Sequence, residues 1–451
     1  MFSLYFILTT LTTLGRAAGV RGLGPLLPSQ DEFYTVPPAA ELAAVQNGDI
    51  LRWRTTPHPI SALGIKPLNL QGEYQALYKT VDSVGADTAT VLSIMVPHNA
   101  NMSKLLSYQV AEDAAYLDCA PSYALQLGSQ SKLFGTILTE AELALIDAAL
   151  QQGWVVVAPD HQGPRAAWLA RANAAHAILD GIRAATRSGH FSGIESTPTI
   201  ALWGYSGGGI TSTAALELRA QYAPELTTIV GAALGGLAPD IQNVITTCNK
   251  GPYAGIIVSG IMALCSEFPA LQALVDSHLR PEYKNKFERT RTQCIVPTAA
   301  DWLFQDVLAS FDNATALLAR PDVRRLLQDN NLGGRGMPDV PVFIYKGVAD
   351  DLSPVADTDA LVDYYCAHGA PSLQYYRDLT ANHGGMAVAG AGRAVDFLRA
   401  VMNGEAQPSG CHRETVASGY FDIRGSKHIP SYVINLLLDL LGKPVGTFTI
   451  G

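Results

Sequence analysis

The chain has 451 residues, 48% of them hydrophobic and 16% charged, which exceeds one average domain and leaves ample material for a core. That balance argues against disorder. A formal net charge of −9 and the lack of any basic cluster speak against nucleic acid as a partner and against steady attachment to anionic membranes, though not against contact with neutral lipid.

From Met1 an apolar stretch runs through Leu11 to small residues at Ala17-Ala18-Gly19. This is the pattern of a secretory signal over residues 1–19 with its cleavage site. It is too short for a membrane anchor, which takes about 20 apolar residues. Ala254 to Cys265 is apolar but also too short. Cys119, Cys248, Cys265, Cys294, Cys366 and Cys411 are even in number and lack C-x-x-C spacing. They read as disulfides rather than metal ligands, in a pairing that spacing alone leaves open. Asn101-Met102-Ser103 and Asn313-Ala314-Thr315 are glycosylation sequons, which agrees with export from the cell.

Residues 20–70 are rich in Pro and Gly and read as an irregular N-terminal wrap. Tyr74 to Val84 and Thr88 to Pro97 are β-rich runs that meet at Gly85-Ala86-Asp87, a hairpin pattern. Leu105 to Val110 is a further strand, and Thr139 to Gln152 has helical spacing up to a stop at Gly153. Trp154 to Ala158 is continuously apolar, as strands buried on both faces are. Arg165 to Arg187 is Ala-rich and helical; a helix to about Tyr222 follows the next strand, and Thr228 to Leu234 is another buried strand. From about Pro239 to Asn331 the pattern is helical throughout. Strands resume at Val340 to Tyr345 and Leu373 to Tyr376, with helices from Val355 to His368 and after His383.

Alternation of this kind predicts a mostly parallel sheet with helices on both faces, interrupted by a helical insertion. The expected organisation is a signal at 1–19, a first core segment at 20–237, a helical cap at 238–335, and a second core segment at 336–451 with a C-terminal tail.

Within that frame, Ile200 to Trp203 is strand-like and leads into Gly204-Tyr205-Ser206-Gly207-Gly208. A G-x-S-x-G between strand and helix is a nucleophile elbow, which identifies an α/β-hydrolase core. A serine hydroxyl needs a base to take its proton, and the base needs an orienting acid. In this fold the partners follow in the order Ser, acid, His, each on a loop after a strand. Asp350 lies in the loop after the strand ending at Tyr345; Asp351 is one residue along and competes with it. Of ten histidines, His383 follows the last core strand, with glycines on its far side. His412 and His428 lie beyond the final core helix, and His161 precedes the serine and reads as a structural loop residue. Gly207, the residue after the nucleophile, is placed to give one oxyanion N–H.

With these pieces the chain resembles the fungal secretory lipase family. The resemblance rests on Glu112-Asp113, Asp118-Cys119-Ala120-Pro121-Ser122-Tyr123, Asp160-His161 with Gly163, Ile178-Leu179-Asp180-Gly181-Ile182-Arg183 and the elbow. Tyr222-Ala223-Pro224-Glu225-Leu226, Gly251-Pro252-Tyr253-Ala254-Gly255, Ala349-Asp350 and His383 extend it over about residues 50–400. It implies a triad of Ser206, Asp350 and His383, with Asp113 as second oxyanion donor beside Gly207. It also implies disulfides Cys119–Cys294 and Cys366–Cys411, which leaves Cys248 with Cys265 inside the cap.

Family membership further implies hydrolysis of triacylglycerol or other carboxylic esters, outside the cell, by a monomer in transient contact with a lipid interface. Ile256 to Leu264 either lines an acyl tunnel or is ordinary core. An alternative substrate is an acetylated apolar metabolite of the sesquiterpenoid toxin type; a non-catalytic binding protein would be expected to show a broken triad. The chemistry is complete without metal or organic cofactor.

Overall fold

The structure, a computed structural model, describes residues 24–62, 64, 66–131, 135–422, 438–439 and 442–447. The expected signal over 1–19 and the tail from Tyr432 to Leu437 lie outside them. Ten strands form one sheet among the described residues: β1 (Ile50–Thr55), β2 (Gly72–Val81), β3 (Asp87–Val96), β4 (Asn101–Gln109), β5 (Trp154–Pro159), β6 (Thr199–Tyr205), β7 (Ile229–Gly235), β8 (Val342–Gly347), β9 (Ser372–Asp378) and β10 (Gly410–Val416). Their order is β1-β2-β3-β5-β4-β6-β7-β8-β9-β10. The first three strands pair antiparallel, and β3 pairs antiparallel with β5; from β5 to β10 every pair is parallel.

Local chemistry explains most of these elements. The β2–β3 hairpin is in register from Gly72↔Val96 to Val81↔Asp87. Its turn is held by Asp82, whose carboxylate accepts from the N–H groups of Val84 and Ala86, and by Gly85 at φ 82°. Central strands are mostly apolar because both faces are covered: β5 and β8 are buried along their whole length. On one face lie α2 (Arg171–Arg187) and α3 (Gly207–Tyr222), on the other α1 (Leu143–Leu150). Parallel neighbours β7 and β8 are joined through the predicted helical insertion. It comprises α4 (Ile241–Cys248), α5 (Ala254–Glu267), α6 (Pro269–His278), α7 (Pro281–Arg289), α8 (Ile295–Trp302), α9 (Ala314–Ala319) and α10 (Pro321–Asn330). These helices share an apolar cluster of their own, centred on Phe287, Val258 and Trp302. The second core segment adds α11 (Val355–Ala367), α12 (His383–Ala389) and α13 (Ala391–Met402).

Three differences from the sequence reading have physical causes. The helix expected from Arg165 begins at Arg171, because Ala166 and Leu169 adopt left-handed backbone, at φ 48° and 67°. The helix expected over Thr139 to Gln152 is split at Glu142, whose carboxylate accepts from Ala111 N–H and Tyr108 Oη instead. Two edge strands, β1 and β10, extend the sheet beyond the predicted runs.

The disulfides Cys119–Cys294 and Cys366–Cys411 are formed. The third expected bridge is not: Cys248 and Cys265 are both free and buried. Cys265 sits near the far end of α5, eleven residues past Ala254, a helical rise of about 16 Å from the end that Cys248 approaches. A bridge needs Cα atoms within about 7 Å. The Cys248 thiol donates instead to the Leu352 carbonyl, at 3.3 Å.

Candidate active site

Ser206 stands between β6 and α3 at φ 54° and ψ −121°, a conformation that costs energy in any residue but glycine. The turn is tight enough to dictate its neighbours. A Cβ on Gly204 would strike the Gly208 carbonyl oxygen, and one on Gly208 would strike the carbonyl oxygen of Gln109. The flanking glycines are therefore steric requirements of the elbow. Ser206 N–H donates to the Gly235 carbonyl at 2.9 Å, which ties the elbow to β7.

His383 begins α12, the loop before it being fixed by Asn382, which caps the helix by accepting from Gly385 N–H at 2.9 Å. Its Nε2 lies 2.7 Å from Ser206 Oγ, and its Nδ1 lies 2.8 Å from Asp350 Oδ2. The ring sits between Tyr205 and Tyr253, at centroid distances of 5.5 and 6.4 Å. Tyr205 Oη also donates to the His383 carbonyl.

Asp350 follows β8. Its Oδ1 accepts from Leu352 and Ser353 N–H, at 2.9 and 3.0 Å. Its Oδ2 is shared between His383 Nδ1 and the Nζ of Lys346, each at 2.8 Å. Burial pushes this carboxyl up, but His383 and Lys346 outweigh it and hold Asp350 well below the usual carboxylate range. Asp351, the competing candidate, is exposed; it meets the backbone N–H of His383, at 3.3 Å, and the Tyr253 hydroxyl, but not the imidazole. The geometry thus brings Ser206, His383 and Asp350 into one hydrogen-bonded chain.

Asp113 and Gly207 lie side by side next to Ser206. A Cβ on Gly207 would strike Asp113 Oδ1, and both residues line the same cleft as the serine. Asp113 itself has left-handed backbone, φ 51°. Burial pushes its carboxyl up to about 7, so the neutral acid dominates below neutral pH. Its carbonyl accepts from Ser259 Oγ on α5, at 2.6 Å. His161 Nε2 lies 2.9 Å from the Val110 carbonyl at the start of the same loop. Burial pushes His161 down to about 4, and it braces the loop rather than facing the serine. His412 is likewise apart, its Nε2 lying 3.0 Å from the Ser409 carbonyl on the edge strand. His428 lies outside the described residues.

From Ser206 an apolar cleft opens into the helical insertion, with about 1110 Å³ of empty space including its open mouth. Ile257 and Ile261 of α5 line it, as do Leu271, Phe311, Leu318 and Leu327. The segment Ile256 to Leu264 does both things expected of it: Ile256, Gly260 and Ile261 face the cleft, while Val258, Met262 and Ala263 are fully buried in the insertion's core. Among the described residues no His, Cys, Asp or Glu cluster of three fits a metal ion, and no helix is long and apolar enough to cross a membrane. Two residues of this site escaped the sequence reading. Lys346 and Ser259 carry no motif.

Comparison with known proteins bears on this geometry. The profile of the secretory lipase family matches residues 125–410. Lipase A of Arthroderma benhamiae is 45% identical over 425 residues, covering 94% of this chain and 90% of that protein. Lipase 2 of Candida albicans is 34% identical over 426 residues, covering 93% and 90%. The crystal structure of Candida antarctica lipase A in its closed state superposes with a TM-score of 0.81 at 27% identity, covering 95% of this chain and all of the other.

Proposed function

This chain belongs to the secretory lipase family and is a carboxylic-ester hydrolase of the α/β-hydrolase fold, and on that premise we propose that it cleaves lipid esters through an acyl-enzyme on Ser206. In this reading His383 takes the hydroxyl proton as Oγ attacks the acyl carbonyl, and returns it to the leaving alcohol. Asp350 fixes the imidazole's tautomer and steadies its positive charge. Water then repeats the sequence to release the acid. The oxyanion is met by the backbone N–H of Gly207 and by Asp113, donors of a kind that contribute roughly 3–4 kcal/mol each to lowering the barrier.

What carries the proposal is the continuity of the Ser206 hydroxyl with an apolar cleft of acyl-chain character. The helices of residues 238–335 are read as a cap that holds the chain of the substrate. A signal at 1–19, glycans on the exposed Asn101 and Asn313, and release from the cell complete the reading. Lipase relatives do not favour the metabolite-deacetylase alternative.

A fluorophosphonate probe should label the protein and fail to label Ser206→Ala. A chain-length series of nitrophenyl esters should favour long acyl groups; confinement to acetate would overturn the lipid assignment.

A further inference from the structure

We propose that Lys346 is a positioning residue of the triad, whose buried ammonium keeps Asp350 ionised and in place beside His383, so that the enzyme stays active in acid. The inference rests on the assignment of Ser206, His383 and Asp350 made above.

Lys346 is the last residue but one of β8, and its side chain and that of Asp350 are both fully buried. An ammonium so placed is unfavourable unless it is paired and hydrogen-bonded. Two of its N–H groups are satisfied, by Asp350 Oδ2 and by the Leu237 carbonyl, each at 2.8 Å. The pairing partner is the triad acid, on the same oxygen that meets the imidazole.

Two consequences follow from that shared oxygen. A buried carboxylate facing only neutral donors tends to gain a proton. Lys346 supplies the missing counter-charge. Once the imidazole is protonated, the ammonium opposes it from no more than 5.6 Å, twice the 2.8 Å that each nitrogen stands from Oδ2.

The other titratable groups facing this pair come from five segments. Asp351 shares the loop and meets His383 N–H. Tyr205 of β6, Tyr253 before α5 and Cys248 of α4 face Asp350, and burial holds all three neutral. Asp357 and Asp359 of α11 face Lys346. None of these supplies a positive charge.

The test is kcat/KM against pH for a soluble short-chain nitrophenyl ester, with wild type, Lys346→Met and Lys346→Arg. In Lys346→Met the acid limb should move up by about one pH unit, roughly a tenfold loss at the acid end, and Lys346→Arg should restore it in part. A uniform loss at every pH with the limb unmoved would overturn the proposal. Should Lys346→Met fail to fold, melting temperatures decide: Asp350→Asn leaves an unpaired buried ammonium, so Asp350→Asn/Lys346→Met should melt higher than Asp350→Asn. A lower value would count against the pairing. Absence of fluorophosphonate labelling in wild type would instead reject the triad itself.

Discussion

Ser259, on a helix of the insertion, donates its hydroxyl hydrogen bond to the carbonyl of Asp113, whose left-handed backbone at φ 51° stands beside Gly207. The helical insertion and the loop that carries Asp113 are thereby one hydrogen-bonded unit. Removing the tie in Ser259→Ala should lower kcat by about fivefold, the effect of losing a neutral hydrogen bond of about 1 kcal/mol, with KM for a short ester little changed. Steady-state kinetics on a soluble nitrophenyl ester give the answer; an unchanged kcat would mean that the loop holds its conformation without the cap.

The Asp113 carboxyl, pushed up to about 7 by burial, gives the alkaline side of the pH profile a distinct origin. As pH rises through that value a carboxylate forms beside the place where the oxyanion develops, and like charge raises the barrier. Activity should fall above about pH 7 in wild type. Asp113→Asn, which stays neutral, should keep its rate into the alkaline range. A wild-type profile flat to pH 9 on a soluble ester would contradict this.

Several carboxyls buried away from the triad point in one direction. Burial pushes Glu140 and Asp160 up to about 7, and Glu142 and Asp147 up to about 8, Asp147 also through its neighbour Asp439. Unfolded, the same groups titrate near 4, at about their ordinary values. Between these limits the folded chain binds more protons than the unfolded one, so stability is greatest in acid and falls as pH rises toward 8. The melting temperature should therefore drop from pH 4.5 to pH 8, and Glu142→Gln, a mimic of the neutral acid, should flatten the slope. A melting temperature that rises over this range would refute the argument.

Leu318 on α9 lines the cleft that opens from Ser206. Leu318→Trp fills part of the space without touching the triad. Rates on butyrate esters should hold within about twofold while those on palmitate esters fall by tenfold or more, since overfilling an apolar site costs about 1–3 kcal/mol. Equal losses on both esters would place the acyl chain elsewhere.

The elbow was legible because its constraints are local. Tight turns around Ser206 exclude side chains at Gly204 and Gly208, and that exclusion is written into the chain as a motif. Strand order pointed to His383 and to the Asp350-Asp351 pair, and of the two it is Asp350 that meets the imidazole. The edge strands were harder to read: β1 and β10 are mostly exposed or half-buried and carry Arg52, Arg54, Arg413 and Glu414, so they lack the apolar runs that mark central strands. Left-handed turns at Ala166 and Leu169 hid in an Ala-rich stretch that scores as helix. The pairing of Cys248 with Cys265 followed from counting, whereas the length of α5 keeps them apart. Lys346 was invisible for a different reason, since a lysine at a strand end usually reaches solvent and only tertiary packing seals this one in.

Cys119 comes six residues after Asp113, and its partner Cys294 sits at the N-cap of α8, 175 residues further along the chain. That bridge is a rivet through the roof of the enzyme. It fastens the helical insertion covalently to the chain just beyond Asp113, so the two cannot part at that point.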